Sequence, residues 1–531
     1  MGLLSILIFA PLLFALMILL LPKKYSQTYK YFTIAVAVIQ LVITAYMYCQ
    51  FQTGAAFTGV NQLDSYQFKE YLPWIRLDIG KFGALQIDYL LGVDGFSIPL
   101  LFLSALVMLI GALSSWEIKE NHKGYFSLMM LLNTAIMGVF CALDIFLFYV
   151  FYELMLLPLY FLIGIWGGVR REYAAIKFFL YTLLGSVFML LVIAGLYFSV
   201  IDPLTGNHTF NIVHMMNPQN YVPDGIFSFL AHQDILGIPA RLLGFIIVFI
   251  AFAIKVPIVP FHTWLPDAHV EAPTPISIIL AGILLKVGGY GIIRIAYSIF
   301  PDVALNLSFY IGLLGVISIL YGALVALAQT DLKRLIAYSS VSHMGFVLLG
   351  LASLTSEGIS GAMMQMISHG FLSVMLFFIV GVIYNRVHDR YIYNFRGLAT
   401  HMPIYTGFVM IAFFASLGLP GFSAFIAEAF SLIGAFNSES VNGLIPRWMA
   451  ILGSLGILLG AAYLLWTLQR MFFGQLRVKE ENWLIKLKDL NVREILTLIP
   501  LAFFAILLGV MPSLVFNIIN TSVNQFILLF T

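Results

Sequence analysis

Apolar runs of about 20 residues, each long enough to cross a bilayer as a helix, recur along the whole chain between shorter polar stretches. Fourteen such runs centre near residues 12, 40, 104, 134, 155, 187, 250, 286, 316, 343, 373, 418, 460 and 507. The pattern predicts an all-α polytopic membrane protein. The first run, "LLSILIFAPLLFALMILLLP", has no basic residue before its apolar core and is followed by Lys23 and Lys24. It therefore reads as an uncleaved first helix, not a signal peptide. Residues 51–90 and 202–240 read as long loops of mixed polarity on one side. Residues 475–494, "QLRVKEENWLIKLKDLNVRE", alternate charge with Trp483, Leu484, Ile485, Leu487 and Leu490. That alternation predicts an amphipathic helix on the membrane surface, with an ordinary charged linker as the plainer reading.

Composition narrows the chemistry. The 531 residues are 61% hydrophobic and 10% charged, against roughly 25% charged in soluble domains. A net charge of +2 gives no sign of a nucleic-acid partner. Cys49 and Cys141 lie in separate runs, which supports no disulfide framework, zinc site or iron–sulfur cluster. Neither a GxGxxG nor a GxxxxGK[ST] loop is present, so the chain shows no metal or cofactor site of its own. With the N-terminus outside, nineteen of the 27 Lys and Arg fall in inside loops, among them Lys23, Lys24, Lys119, Lys333 and Arg470. Six, including Lys81, Arg241 and Arg294, fall outside, and Lys255 and Lys286 lie within spans. The bias puts the basic loops in the cytoplasm and both termini on the opposite side.

Two runs break at membrane depth. "AFAIKVPIVPFHTWLPDAHVEAPTP" (251–275) places Lys255 just before Pro257, the first of five prolines. "SLGLPGFSAFIAEAF" (416–430) is interrupted by Gly418, Pro420 and Gly421. Broken helices in corresponding positions point to inverted repeats. The halves are 124–300 and 303–473, five spans each, after three spans in 1–123 and before an interfacial segment and last span in 474–531. A charge at bilayer centre costs about 2.5–3.5 kcal/mol on insertion scales, so each buried one needs a reason. The candidates are Asp144, Glu153, Lys255, Lys286, His343, His369 and Glu428. Asp144 sits near the start of a span, an interfacial position. The two histidines also suit polar clamps between helices, and the Lys and Glu residues suit structural ion pairs. Their spread over spans 5, 7, 8 and 12 fits a lateral proton relay better than a solute pocket. Pro257 denies the Ala253 carbonyl its helical donor, and an ammonium can serve freed carbonyls at the negative end of a half-helix. Burial and the Glu153 carboxylate act oppositely on Lys255, so a small movement can switch its protonation. His262, Asp267, His269 and Glu271 have a ligand-like spacing, but the intervening prolines prevent a continuous helix face.

Four stretches carry a resemblance: "FYELMLLPLYFLIGIWGG", "AIKVPIVPFHTWLPDAHVEAPTPISIILAGILLKVGGYG", "DLKRLIAYSSVSHMGF" and "SLGLPGFSAFIAE". In this order they resemble the antiporter-like membrane subunits of NADH–quinone oxidoreductase (complex I), relatives of Mrp-type cation/proton antiporters. The resemblance spans nearly the whole chain. It implies fourteen helices, two inverted five-helix repeats, and broken spans 7 and 12. It also implies a proton path through Glu153, Lys255, Lys286, His343, His369 and Glu428, driven by redox chemistry elsewhere. A glutamate rather than lysine at 428, and a sequence that stops at span 14 without a lateral helix, resemble the M-type branch. The implied partners are the lipid bilayer and other membrane subunits, including the L-type and N-type paralogues. NADH, FMN, iron–sulfur clusters and quinone are implied in other subunits, and the implied location is a bacterial inner membrane. The alternatives are an Mrp-type antiporter subunit or a hydrogenase-complex membrane subunit.

The charge bias makes a testable statement about topology. Single cysteines placed in 470–494 should react with an impermeant maleimide only from the cytoplasm, and those in 202–240 only from the other side. Labelling of both regions from one side would sink the fourteen-span topology.

Overall fold

The computed structural model describes residues 2–22, 26–53, 63–78, 84–118, 120–229, 233–235 and 237–530. Lys23, Lys24, Lys81 and Lys119 of the charge count lie outside the described residues. Among the described residues thirteen helices are long and apolar enough to cross a membrane, and a shorter apolar helix, Pro403–Ser416, adds to them. The fourteen expected spans are all recognisable. Twelve of them are Leu3–Leu20, Ser26–Gln50, Ser97–Ser114, His122–Cys141, Ile145–Trp166, Arg171–Ser199, Thr274–Tyr297, Pro301–Leu327, Leu332–Ser353, Ser356–Val387, Arg447–Phe472 and Val492–Val510. Spans 7 and 12 are split, into Ala240–Lys255 with Trp264–Glu271, and Pro403–Ser416 with Ser423–Val441. Counting from span 4, the interrupted helix is the fourth of five in each half, an order consistent with the expected repeats.

Local chemistry starts these helices where they start. Asp144 caps span 5 by accepting from the Leu147 N–H, Asp331 caps span 10 from Lys333 and Arg334, and Thr355 caps span 11 from Gly358. Span 14 opens on a reciprocal box between Asn491 and Glu494. Spans 8 and 11 are buried through their whole apolar windows. Spans 1, 6, 13 and 14 show rows of apolar side chains such as Leu13, Leu184, Leu458 and Phe503, as lipid-facing helices do. The core is therefore a column around spans 8, 10 and 11, wrapped by the others.

Three features depart from the expected all-helical plan. Gln67–Asp78 pairs antiparallel with Ala84–Val93 as a two-stranded hairpin over one face of the bundle. Glu70 in this hairpin accepts from the Leu4 and Ser5 backbone and bonds the Ser5 hydroxyl, capping span 1 from a distance. Second, the amphipathic helix expected over 475–494 does not form. Before span 14 begins at Val492, the segment contains the short strand Arg477–Val478 and one helical turn, Trp483–Lys486. Specific anchors override its periodicity: Trp483 is buried and stacks on Phe395, and the Asp489 carboxylate accepts from the Ile404 and Tyr405 N–H groups. Third, the chain does not stop at span 14. A further helix, Ser513–Ile527, lies across the hairpin face, where Ser522 bonds the Gly95 N–H and Phe526 packs on Phe96 and Tyr297. Its Asn and Ser residues dilute the apolar run, which hid it. Ser5 and Ser522 both sit at this face, so both ends of the described chain are on the same side.

Candidate functional site

The first break begins at Lys255, the last residue of its half-helix. Pro257 frees the Ala253 carbonyl, but the backbone reaches past it: Ile258 N–H donates to Ala253 O at 3.0 Å. The Trp264 indole N–H donates to Ile254 O at 2.7 Å. The expectation that the Lys255 ammonium serves these carbonyls is thus corrected, because closer donors already do. Lys255, fully buried, instead crosses to span 5. Its Nζ lies 3.4 Å from Tyr152 O and 3.1 Å from the centre of the Tyr152 ring, a cation–π seat. Tyr152 in turn donates to Ala251 O, tying span 5 to the half-helix.

Glu153 follows Tyr152 on the same helix, one turn before Pro158. The missing Pro158 N–H withdraws the donor for Leu154 O, and the helical hydrogen-bond pattern is interrupted at Met155. The Ser186 hydroxyl, which donates to Leu183 O at 3.0 Å, and the Lys255 charge both lie near enough to act on the Glu153 carboxylate. Its Oε1 is buried without a hydrogen-bond partner. No ion pair within 4.0 Å joins Glu153 to Lys255 among the described residues. The two charges are neighbours that stop short of contact.

A second cluster forms around span 8. Lys286 lies between two widened π-helical segments, Leu280–Leu284 and Ile292–Tyr297. Such distortions often mark functional positions. Its Nζ donates to Ala281 O at 2.7 Å and lies 2.8 Å from His369 Nδ1 on span 11. The His369 and His343 rings are 5.6 Å apart between centres. His343 Nδ1 is 3.2 Å from Glu428 Oε1, and the Gln365 amide nitrogen is 3.4 Å from the same ring nitrogen. A small cavity of mixed lining, with Ser339, Ser340, His343, Gln365 and His369 beside Leu372 and Leu376, adjoins these rings. It offers hydroxyl and amide partners of the kind that hold water in membrane proteins.

Glu428 stands against the second break. Gly418 there has φ +75°, and a Cβ on it would come within 2.7 Å of Glu428 Oε2. Only glycine combines that backbone with that approach.

The structure therefore brings the expected residues into two groups: Glu153 with Lys255, and Lys286 with His369, His343 and Glu428. Among the described residues no hydrogen bond or ion pair joins Lys255 to Lys286. The helices that carry them do touch, since a Cβ on Gly288 would meet Val256 N at 2.8 Å. Asp144 proves to be a helix cap, nearly fully buried, at the hairpin face. His262, Asp267, His269 and Glu271 point to separate partners: the Tyr321 ring, Lys177 and Arg334, the Phe377 ring, and the Arg170 N–H. Among the described residues no three His, Cys, Asp or Glu side chains converge as metal ligands. Tyr152, Ser186 and Gln365 escaped sequence reasoning, because uncharged polar residues within spans carry no signal as strong as a charge. Arg294, counted as a loop cation, is buried against Asp94 at 2.5 Å.

Helices that fill a membrane, two of them broken, with ionisable side chains at each break, define a polytopic membrane protein of antiporter-like build. The family model described as NADH:quinone oxidoreductase/Mrp antiporter, TM matches residues 142–460. The chain belongs to this family. It is 39% identical to NADH-quinone oxidoreductase subunit M of Rickettsia bellii over 99% of this chain and 98% of that protein. Among solved structures it resembles a chain of respiratory complex I from Thermus thermophilus with bound NADH, with TM-score 0.81, 27% identity and coverage of 99% and 100%. It shares its fold with a chain of the Mrp complex from Dietzia sp. DQ12-45-1b, with TM-score 0.78, 20% identity and coverage of 100% of each chain.

Gly418→Ala should cost about 1–2 kcal/mol for the left-handed backbone and also displace the Glu428 carboxylate. Gly443→Ala, at φ +70° with open space around it, carries the backbone cost alone. Proton pumping and thermal stability of the two variants separate the effects. Pumping should fall in Gly418→Ala and persist in Gly443→Ala, and equal pumping in both would dismiss the Gly418–Glu428 contact.

Proposed function

We propose that this chain is the M-type membrane subunit of an NADH–quinone oxidoreductase and carries protons across the membrane without redox chemistry of its own. One observation carries the reading: each interrupted helix sets a buried ionisable group against its break, Lys255 at the first and Glu428 at the second. The name of the Rickettsia relative at nearly full mutual coverage supports the assignment.

In this reading residues 124–300 and 303–473 are inverted repeats, and the basic face is cytoplasmic, so both termini lie outside. The membrane is a bacterial inner membrane. The L-type and N-type paralogues are neighbours, and NADH, FMN, iron–sulfur clusters and quinone belong to other subunits. Glu153 sets the charge of Lys255 across the gap between them. A proton leaves Lys255, crosses to Lys286 through water, and passes along His369 and His343 to Glu428. The Lys286–His369 contact allows direct transfer from ammonium to ring nitrogen. The His343–Glu428 contact allows transfer from ring to carboxylate. Moving a charge against 100 mV costs about 2.3 kcal/mol, so an outside conformational drive must separate Glu153 from Lys255 or join them in each cycle.

Lys255 is the informative residue to change. Lys255→Ala removes the carrier while the prolines keep the break. Lys255→Arg keeps the charge, but guanidinium does not release a proton in proteins. In isolated complex reconstituted in liposomes, with subunit content checked by blot, both variants should lose most proton uptake per NADH oxidised. Near-normal pumping by assembled Lys255→Arg would leave Lys255 as electrostatic scaffolding. Isolation with Mrp-type partners only, and no flavin or iron–sulfur subunit, would move the chain to the antiporter branch.

A further inference from the structure

At the basic face, span 13 ends beside a cavity of about 740 Å³ lined by Tyr393, Arg396, Trp466, Arg470, Arg477 and Lys479, among others. Its floor is the short antiparallel pair Phe395–Arg396 with Arg477–Val478, in which Arg396 sits directly opposite Arg477. Like charges in that relation repel. Arg470 adds a third cation, lying 3.8 Å over the Trp466 ring and 5.1 Å over Tyr393. Elsewhere on this face the chain supplies its own counter-charges: Arg386 holds Glu494 at 2.8 Å and Arg390 holds Asp331 at 2.6 Å. Among the described residues no carboxylate lies within 4.0 Å of Arg396, Arg470, Arg477 or Lys479. Glu480 and Glu481 follow in sequence but do not line the cavity.

A strand pair that opposes two arginines keeps its fold more easily when an anion sits between them. We infer that this cavity binds the phosphate headgroup of an anionic phospholipid. Guanidinium forks match phosphate oxygens in pairs, and basic pockets beside membrane helices on the cytoplasmic side suit such headgroups. Free phosphate offers the same chemistry, but exposed apolar side chains of span 13 adjoin the cavity. Trp466 is half-buried near the end of span 13, where aromatic side chains suit a membrane boundary, and the exposed Leu465 and Leu458 lead from it down the helix. Acyl chains would lie along that row. An acidic segment of a neighbouring subunit is the competing occupant.

The test uses the intact complex, delipidated in detergent and then supplied with phosphatidylglycerol, phosphatidylcholine or inorganic phosphate. The readouts are the thermal midpoint, the retained lipid by mass spectrometry, and the subunit content. Wild type should retain phosphatidylglycerol and gain stability from it, with little response to phosphatidylcholine or phosphate. Arg396→Gln/Arg477→Gln should be no less stable than wild type without lipid, because it relieves repulsion. It should also retain about tenfold less phosphatidylglycerol, the scale of one lost charge-assisted hydrogen bond. Unchanged retention in the variant overturns the proposal. Equal stabilisation of wild type by inorganic phosphate overturns the lipid as occupant, and loss of a neighbouring subunit at unchanged lipid content points to the protein segment instead. If the double variant fails to assemble, the wild-type comparison decides, since equal effects of the two lipids contradict the inference.

Discussion

A backbone carbonyl freed inside a membrane must find a donor within the protein or in trapped water, because lipid supplies none. The architecture around spans 7 and 12 answers to that requirement. At the first break the Ile258 N–H takes up the Ala253 carbonyl that Pro257 orphans, and the Trp264 indole takes up the Ile254 carbonyl that Ile258 thereby leaves. That leaves the Lys255 ammonium free of local duty, and it turns to the Tyr152 ring and carbonyl. At the second break Gly418 and Gly421 take positive φ, and the Leu419 N–H returns to Phe414 O at 3.2 Å. The glycine surface then lets Glu428 approach. The Ala253, Ile254 and Phe414 carbonyls are taken up by backbone and indole donors, and the ionisable side chains beside the breaks remain available for chemistry.

The spacing of those side chains gives the bundle two stations. Glu153 and Lys255 are close enough to feel one another and too far apart to pair, which suits a charge that responds to small movement. Lys286, His369, His343 and Glu428 are in near-continuous contact across spans 8, 11, 10 and 12. Between the stations, spans 7 and 8 press together at Gly288. A proposed path along this line depends on water from Lys255 to Lys286 and again between the His369 and His343 rings, 5.6 Å apart between centres, and the longer gap at Lys255 is where gating would be most economical. The widened turns around Lys286 place its side chain between the Ala281 carbonyl and His369, where either partner can receive it.

Much of this was legible in the sequence. A buried charge costs enough that Glu153, Lys255, Lys286 and Glu428 stood out from their apolar runs, and the prolines and glycines marked both breaks. The partners were less visible. Tyr152 reads as another aromatic in an aromatic helix, and nothing local says that its ring will hold a cation brought from span 7. The surface segments misled most. Residues 475–494 carry an amphipathic period, yet Trp483 and Asp489 are claimed by Phe395 and by the start of span 12. Tertiary anchors won over periodicity. Ser513–Ile527 was hidden for the opposite reason, its polar residues breaking an apolar run that packs on the hairpin face.

The central claim is that a titratable carboxylate in contact with His343 ends the buried chain at the second break. Its most direct measurement is the ratio of protons pumped to NADH oxidised by assembled complexes carrying Glu428→Gln or Glu428→Asp. Gln keeps the shape and hydrogen bonding without the proton, whereas Asp keeps the proton on a shorter arm. The account predicts a ratio that falls steeply with Gln and is largely kept with Asp. A wild-type ratio in the Gln variant would contradict it.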